Sequence, residues 1–313
     1  MKTVYFVVPC YNEQEVLPET SKRLLEKMDS LIEKKKINED SRIVFVDDGS
    51  SDKTYSIISE LHNQNPRFCA VKLSRNQGHQ NALLSGLMTV RDRCDAAISL
   101  DADLQDDINA IDEFVDRFNE GYDIVYGVRS SRKKDSAFKR TTAQAFYKLM
   151  LFFGVEMVYN HADYRLMSRR ALEALSDFNE VNLFLRGIVP LVGFRSTTVS
   201  YERMERFAGT SKYPLKKMLA FAIDGITSFS IKPIRMVFSV GVIIFICSIF
   251  VLLYSLIRWL LGHTVAGWTT IVASIWALGS IQLLSLGIVG EYIGKIYKEV
   301  KARPRFVIEE TLF

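Results

Sequence analysis

Two long uncharged apolar segments near the carboxyl end constrain this chain more than any other feature of its sequence. Residues 236–257 and 264–290 contain no Asp, Glu, Lys or Arg. Each segment exceeds the roughly 20 residues that a helix needs to cross the hydrocarbon core of a bilayer. A pair of buried core helices is the alternative, but such helices are usually shorter and interrupted by charge. The sequence therefore predicts two transmembrane helices joined by a short loop.

Basic residues flank both segments and give the orientation of the predicted hairpin. Lys212, Lys216, Lys217, Lys232 and Arg235 precede the first segment, and Lys295, Lys298, Lys301, Arg303 and Arg305 follow the second. The connecting loop holds only Arg258. By the positive-inside rule, both termini of a multi-pass protein of the cell membrane are predicted to be cytoplasmic. The start of the chain is typical of a strand, not of a signal peptide, which predicts that the large amino-terminal part stays in the cytoplasm.

Composition and short motifs exclude several classes of function. The net charge of +4 is too small to indicate a nucleic-acid-binding protein. The four cysteines have no CxxC spacing, so neither a zinc site nor a disulfide framework is predicted. The sequence has no GxxxxGK[ST] loop and no GxGxxG turn, which argues against a P-loop NTPase and a dinucleotide-dependent dehydrogenase.

The first 130 residues or so alternate strand-like and helix-like segments. The predicted strands are Thr3–Pro9, Arg42–Val46, Phe68–Leu73, Ala96–Leu100 and Asp123–Tyr126, and the helices between them are Glu15–Lys36, Lys53–Gln64, Gly78–Arg93 and Ile108–Glu120. This alternation predicts an α/β fold with a doubly wound, mainly parallel sheet. Ligands of such sheets bind beyond the carboxyl ends of the strands, so the residues there are candidates for a site.

Polar clusters follow the predicted strands. They are PCYNE (9–13), DDGSSD (47–52), SRNQG (74–78), DADLQ (101–105) and GVRSSR (127–132). Each cluster alone could be a turn or a helix cap. Asp101 and Asp103, however, directly follow an apolar strand, and two such carboxylates repel each other unless a cation lies between them. Oxygen ligands of this kind suit Mg²⁺ or Mn²⁺ bound together with substrate phosphates, which favours a nucleoside diphosphate as ligand.

Together these segments resemble the family 2 glycosyltransferases with a GT-A fold, and among them the polyprenyl-phosphate glycosyltransferases. The matching runs are PCYNE, VDDGSSDKT, SRNQGHQNALLSG, DADLQDD, GVRSSR, DYRLMSR (163–169) and RFAGTSKY (206–213). The apolar hairpin is similar to that of the bacterial bactoprenol glucosyltransferases. The resemblance implies a catalytic domain over 1–213, an amphipathic juxtamembrane segment over 214–233, two transmembrane helices within 234–291 and a cytoplasmic tail over 292–313.

The resemblance also implies roles for individual residues. The nucleotide sugar is expected to contact Pro9, Tyr11, Asn12, Glu13, Val46, Asp48, Asp101, Ala102, Asp103, Arg129, Arg206 and Lys212. The divalent metal is expected at Asp101, Asp103 and Gln105, and the lipid phosphate at Arg129, Lys139 and Arg140. Asp163 matches the position proposed for a catalytic base, and it forms the expected catalytic set with Asp101 and Asp103.

The implied reaction is transfer of glucose from UDP-glucose to undecaprenyl phosphate or another polyprenyl phosphate at the lipid bilayer, with inversion. GDP-mannose, UDP-N-acetylglucosamine and UDP-galactose are alternative donors. A phosphate monoester has its second pKa near 6 and is largely a dianion at pH 7, so Asp163 either deprotonates the acceptor or only orients it. A homo-oligomer, with a tetramer as one form, is also expected, and the tail strand 303–310 is predicted to pair with a neighbouring subunit.

Two further alternatives remain. A processive polysaccharide synthase would need a QxxRW element, and the only RW pair here, Arg258 and Trp259, has Ser255 in place of the Gln. A membrane scaffold without activity would not need the intact DADLQ and RFAGTSK runs. A transferase is therefore the preferred interpretation.

Overall fold

The chain forms the five predicted strands of its first 130 residues in the expected order, forms the predicted tail strand, and adds two strands within residues 161–201 that the sequence did not predict. The structure is a computed structural model, and it describes residues 1–130, 152–153, 161–202, 226–227, 230–261 and 267–313. The strands are β1 (Val4–Cys10), β2 (Arg42–Asp47), β3 (Phe68–Leu73), β4 (Ala96–Ser99), β5 (Ile124–Arg129), β6 (His161–Ser168), β7 (Ser196–Tyr201) and β8 (Ile308–Leu312). They join in one sheet with the order β7-β5-β6-β4-β1-β2-β3-β8.

The sheet is mixed, although a mainly parallel one was expected. Strands β1 to β4 pair in parallel, as does β5 with β7. Strand β6 lies antiparallel between β4 and β5, and β8 is antiparallel to β3. The difference arises after β5, because the strand–helix alternation on which the prediction was based stops there. Both β6 and β7 belong to segments for which the sequence predicted no strand.

Helices cover both faces of the sheet. They are α1 (Leu17–Glu33), α2 (Thr54–Gln64), α3 (His79–Val90), α4 (Ala110–Asn119), α5 (Arg169–Ser176) and α6 (Leu185–Leu191), followed by the long helices α7 (Lys232–Leu260) and α8 (Trp268–Lys301). The first four agree with the predicted helices to within three residues at each end. Alternate residues of β1 pack on opposite faces: Phe6 and Val8 meet α1, α2 and α4, whereas Tyr5 and Val7 meet α3, α5 and α6. Each fully buried side chain of this kind stabilises the fold by about 1.5–3 kcal/mol.

The two apolar segments of the sequence form the helices α7 and α8. Many of their large apolar side chains are exposed, among them Phe238, Phe250, Leu283 and Leu284. Helix α8 continues to Lys301, ten residues beyond the predicted end of the second span at residue 291. No helix in the described ranges combines the length and the apolarity that a membrane span requires. The predicted amphipathic segment 214–233 lies almost entirely outside the described residues.

The carboxyl-terminal tail adds an edge strand to the sheet of its own chain. Strand β8 pairs with β3, Tyr55 donates a hydrogen bond to Glu310 (2.6 Å), and Lys72 forms an ion pair with Glu309 (2.9 Å). A tail strand was predicted, and it pairs with β3 of its own chain, whereas pairing with a neighbouring subunit stays a prediction. The edge of β3 would otherwise expose unpaired backbone groups, and β8 covers it.

Candidate active site

The carboxyl ends of the parallel strands bring the predicted site residues to one edge of the sheet. Cys10 at the end of β1 pairs with Asp47 of β2, and Ser99 at the end of β4 pairs with Arg165 of β6. Because β6 runs the other way, its first residues lie at the same edge, and they place Asp163 beside Asp101. The structure therefore assembles at one edge the clusters that are separate in the sequence.

The loops after β1 and β2 are joined by hydrogen bonds. The backbone N–H of Asn12 donates to the Ser50 hydroxyl (3.0 Å), and the Asn12 side-chain oxygen accepts from the Ser51 N–H (2.9 Å). The Glu13 N–H donates to the Thr54 hydroxyl (2.9 Å). The Tyr11 side chain is 42% exposed, so its ring is accessible to a ligand. Asn12 adopts a positive φ of 54°, which its short polar side chain tolerates.

Three of the residues expected to contact the nucleotide are buried. Pro9 and Val46 pair across β1 and β2 inside the sheet, and the Val46 side chain packs against α3. The Ala102 side chain is also buried, and its backbone oxygen accepts a hydrogen bond from the Thr20 hydroxyl (2.7 Å). The Val46 side chain has no exposed surface, and its contact with the nucleotide stays a prediction.

Asp48 fixes the loop 74–78. Its two carboxylate oxygens accept backbone N–H bonds from Gln77 (2.7 Å) and Gly78 (2.9 Å). Burial raises the pKa of Asp48, although both hydrogen bonds favour its ionised form. The residue thus organises the loop that precedes α3, and with it the position of His79.

Gly49 is needed for the contact between the loops after β2 and β3. It has a φ of +66°, and an added Cβ would lie 2.6 Å from backbone atoms of Arg75 and Asn76. We expect Gly49→Ala to lower the free energy of unfolding by more than the ~1–2 kcal/mol that a positive φ alone costs a residue with a Cβ. Gly193→Ala is the control, since Gly193 has a φ of +74° but no atom closer than 3.7 Å. Thermal unfolding of the purified proteins measures the difference, and equal losses would contradict the proposed backbone clash.

The DADLQ turn presents two carboxylates and an amide at the end of β4. Leu104 adopts a positive φ of 56°, and the Gln105 N–H donates to the Asp103 carboxylate (3.1 Å). The Asp101 side chain is 40% exposed. Desolvation in the cleft raises the pKa of Asp101, and the charges of Asp103 and Asp163 add to this effect.

The donor set of this turn fits a hard divalent cation. Carboxylate and amide oxygens are the ligands that Mg²⁺ and Mn²⁺ prefer, and such ions keep positions for substrate phosphates. The mutual repulsion of Asp101 and Asp103 would be relieved by a positive charge between them. Within the part of the chain that the structure describes, no group of three or more His, Cys, Asp or Glu side chains is arranged to hold a metal ion.

Asp163 lies in a cluster with three cationic side chains. Its carboxylate accepts hydrogen bonds from Arg165 (2.5 Å) and Arg186 (3.0 Å), and His79 lies 3.7 Å away. The same His79 nitrogen is 3.5 Å from Asp101, so it connects the two carboxylates. Burial disfavours ionisation of Asp163, but Arg186, His79 and Arg165 together hold its pKa well below the usual range.

The histidine of this cluster is stabilised in its protonated form. Burial alone would lower the pKa of His79, but the carboxylates of Asp101 and Asp163 outweigh it and raise the pKa to about 9. Three cations therefore surround one ionised carboxylate at Asp163. Sequence reasoning assigned no role to His79 or Arg186. The only available signal for His79 was its place in the run SRNQGHQ.

A second buried network lies beside the DADLQ turn. The Tyr201 hydroxyl donates to the Asp106 carboxylate (2.6 Å), and Arg129 donates to the Tyr201 hydroxyl (3.4 Å). Burial raises the pKa of Asp106 to about 6, and the charge of Asp101 adds to it. The structure thus places Arg129 beside Tyr201 and Asp106, two residues that sequence reasoning missed, while its contact with phosphate stays a prediction.

Several predicted phosphate contacts lie outside the described residues. They are Lys139, Arg140, Arg206 and Lys212. The remaining predicted site residues all lie at the carboxyl edge of the sheet or in the loops that follow it.

Two family models match the chain. The model described as "Glycosyl transferase family 2" matches residues 5–176, and the one described as "GtrB C-terminal hairpin" matches residues 232–296. The first covers more than half of the chain and includes β1 to β6 with the DADLQ turn. The second covers α7 and most of α8.

Known proteins resemble the chain over nearly its full length. The uncharacterized glycosyltransferase YkoT of Bacillus subtilis is 54% identical over 307 residues, which cover 98% of this chain and 91% of that protein. The SfII prophage-derived bactoprenol glucosyl transferase of Shigella flexneri is 38% identical over 310 residues, which cover 98% of each chain. The mannosyltransferase PcManGT from Pyrobaculum calidifontis has a similar structure, with a TM-score of 0.51 at 16% identity, over 96% of this chain and 86% of that one. These similarities confirm the predicted GT-A α/β fold.

Proposed function

The chain belongs to glycosyl transferase family 2, and we propose that it transfers glucose from UDP-glucose to a polyprenyl phosphate. The geometry of Asp101 and Asp163 is the observation that supports this function best. It places a turn suited to a metal-bound diphosphate next to a cationic cluster suited to a phosphate acceptor. The Shigella relative, a bactoprenol glucosyl transferase that is 38% identical over 98% of this chain, supports both the sugar and the class of acceptor.

The donor side of the proposed site would need a divalent cation, Mg²⁺ or Mn²⁺. Asp101, Asp103 and Gln105 are the residues that would hold it. When bound, such a cation acts as a Lewis acid and stabilises charge on a diphosphate leaving group. Arg129, held by Tyr201, would contact the same phosphates, and Tyr11 would stack on or flank the nucleoside.

On the acceptor side, Asp163 would act as an orienting residue. The phosphate monoester is already a dianion at pH 7 and needs no proton removed before it attacks the sugar. The pKa of Asp163 lies well below its usual range, which makes it a weak proton acceptor. Arg165, Arg186 and His79 outnumber it in charge and would make its surroundings attractive to a phosphate dianion. Attack from the face opposite the leaving diphosphate would invert the anomeric centre.

We further propose that α7 and α8 anchor the enzyme in the cell membrane, with the catalytic domain 1–213 and the tail 292–313 on the cytoplasmic side. The exposed apolar side chains of both helices support this, because so large an apolar surface is unusual on a soluble monomer. Segment 214–233 would lie along the interface between the membrane and the cytoplasm. Membrane attachment would bring the site to a lipid-linked acceptor. We also propose that the chain associates into a homo-oligomer.

The proposed function can be tested with purified full-length protein in nanodiscs that contain undecaprenyl phosphate. The donors are UDP-glucose, UDP-galactose, UDP-N-acetylglucosamine and GDP-mannose, each with Mg²⁺ or Mn²⁺. We expect lipid-linked glucose from UDP-glucose, and we expect EDTA to abolish its formation. Lipid-linked product from a different donor would correct the sugar only. No lipid-linked product from any donor would refute the proposal.

A further inference from the structure

The last turn of α8 is attached to the catalytic domain through one carboxylate. Glu299 accepts hydrogen bonds from the backbone N–H groups of Val181 (2.8 Å) and Asn182 (2.8 Å), and from the Asn182 side-chain amide (2.8 Å). The same amide lies 3.4 Å from the backbone oxygen of Lys295, one turn earlier in α8. Hydrogen bonds to an ionised acceptor are shorter and stronger than neutral ones, so this contact is a firm point of attachment.

The segment that Glu299 holds leads directly into the Asp163 cluster. Residues 181–184 precede α6, whose second residue is Arg186, the bidentate partner of Asp163 (3.0 and 3.3 Å). The Leu185 N–H donates to Gln80 (2.8 Å), the residue that follows His79. Three residues therefore separate Asn182 from Arg186, and the last of them, Leu185, is held by its hydrogen bond to Gln80.

A second contact holds the beginning of the same segment. Arg305, just beyond α8, donates to the backbone oxygen of Phe178 (2.9 Å). The tail then crosses to β3 and ends at the opposite side of the sheet, where Tyr55 contacts Glu310. The chain after α8 thus contacts the catalytic domain at Phe178, at Ser74, whose N–H donates to the Val307 backbone oxygen (3.0 Å), and along β3. The contact at Phe178 adjoins the segment that Glu299 holds.

We propose that Glu299 is a positioning residue that couples the α7–α8 hairpin to the active site through 181–186. Glu299 fixes the position of Arg186, and Arg186 in turn fixes the position of Asp163. The Asp163 cluster, where the acceptor phosphate would bind, is thereby aligned with the hairpin that borders the lipid. The inference rests on the proposed function in so far as the acceptor is lipid-linked. The coupling of Glu299 to Arg186 is a property of the fold itself.

The kinetic test compares Glu299→Ala and Glu299→Gln with Glu310→Gln. Glu310 is also a tail carboxylate with one hydrogen-bond partner in the catalytic domain, but it lies at the far edge of the sheet. Because misplacement by about 1 Å can cost up to about 100-fold in rate, we expect Glu299→Ala to lower kcat by about 10-fold or more. The dissociation constant for UDP-glucose should stay unchanged. Glu299→Gln keeps one acceptor oxygen and should recover part of the rate, and Glu310→Gln should match the wild type.

Hydrogen exchange of residues 181–188 provides a readout that does not depend on activity. Glu299→Ala should speed exchange throughout this segment, and Glu310→Gln should leave it unchanged. Unchanged exchange in Glu299→Ala, or a loss of rate equal to that of Glu310→Gln, would overturn the proposal. If the wild type transfers no sugar to any polyprenyl phosphate, the proposed function fails, whereas the exchange data still decide whether Glu299 positions Arg186.

Discussion

Replacing Asp103 with Asn is expected to lower kcat/KM for sugar transfer by about 100-fold or more, which is the scale of losing one preorganised group that stabilises transition-state charge. The substitution keeps the shape of the side chain, and its oxygen can still accept the hydrogen bond from the Gln105 N–H. It removes one of the two negative charges that would hold a divalent cation. Transfer of radiolabelled glucose to undecaprenyl phosphate at saturating Mn²⁺ measures the effect.

Asp107→Asn is the matched control for this prediction. Asp107 lies in the same loop, and its carboxylate accepts the backbone N–H of Asn109 (2.9 Å), a bond that an Asn side chain can also accept. The control should retain the wild-type rate. The Asp103→Asn variant, in contrast, has one negative charge fewer at the turn, so it should also need a higher Mn²⁺ concentration for half-maximal activity. Wild-type activity and metal dependence in Asp103→Asn would contradict the assignment of the DADLQ turn as the metal-binding element.

Replacing Asp163 with Asn is expected to lower the plateau of kcat by about 10- to 100-fold without moving its pH profile. The carboxylate pairs with Arg186 and Arg165, and its loss leaves these cations without a counter-charge. If the acceptor dianion is the nucleophile, the rate should rise through pH 6 and then stay constant up to pH 8. If Asp163 were the general base, the enzyme would use the acceptor monoanion, and the rate would fall above pH 6.

The low pKa of Asp163 also fixes the sign of its effect on stability. Its pKa in the folded state is below the unfolded value of about 3.9, so the carboxylate stays ionised from pH 5 to 8. The stabilisation that it provides is present above the unfolded pKa and is lost as the pH falls through the folded pKa. The pH dependence of activity near 6 therefore does not come from this residue.

Two further variants serve as controls: one for the loss of a buried carboxylate and one for a second group that titrates near pH 6. Asp123 is as buried as Asp163 and pairs with Arg170 and Ser168 at the opposite edge of the sheet. Asp123→Asn should lose about 1–3 kcal/mol of stability, the usual cost of an impaired buried hydrogen bond, but no activity per folded molecule. Asp106 has a pKa of about 6, so Asp106→Asn is measured in parallel. An inflection near pH 6 that persists in this variant belongs to the acceptor.

Local sequence patterns predicted much of the fold. The alternation of apolar strands and amphipathic helices predicted β1 to β5 and α1 to α4, because each pattern follows the period of its own secondary structure. The same alternation predicted that DDGSSD and DADLQ would share an edge, since parallel strands end on the same side. The apolar runs predicted two long helices, which α7 and α8 confirm as helices.

The antiparallel strands escaped prediction because their positions depend on pairing between distant segments. Strand β6 lies between β4 and β5, and its pairing with β4 places Ser99 opposite Arg165. That pairing brings Asp163 to Asp101 and closes the cluster with His79. Likewise, Arg186 contacts Asp163 from α6, whose first residue bonds Gln80 and whose preceding segment bonds Glu299. No periodicity in the sequence encodes such contacts.

The sequence by itself determined the class of this protein: an α/β transferase domain with carboxylates at the strand ends, followed by an apolar hairpin. The α/β fold and the apolar hairpin depend on residue types and spacings within short segments, where hydrophobic period and chain connectivity suffice, whereas the transferase activity is implied by the resemblance of the motifs to the family 2 glycosyltransferases. Only the tertiary structure decided which charges surround Asp163 and hold its pKa low, because His79, Arg165 and Arg186 come from α3, β6 and α6. Electrostatic energy varies with the distance between charges and with burial, and both are set only after the distant segments have packed together.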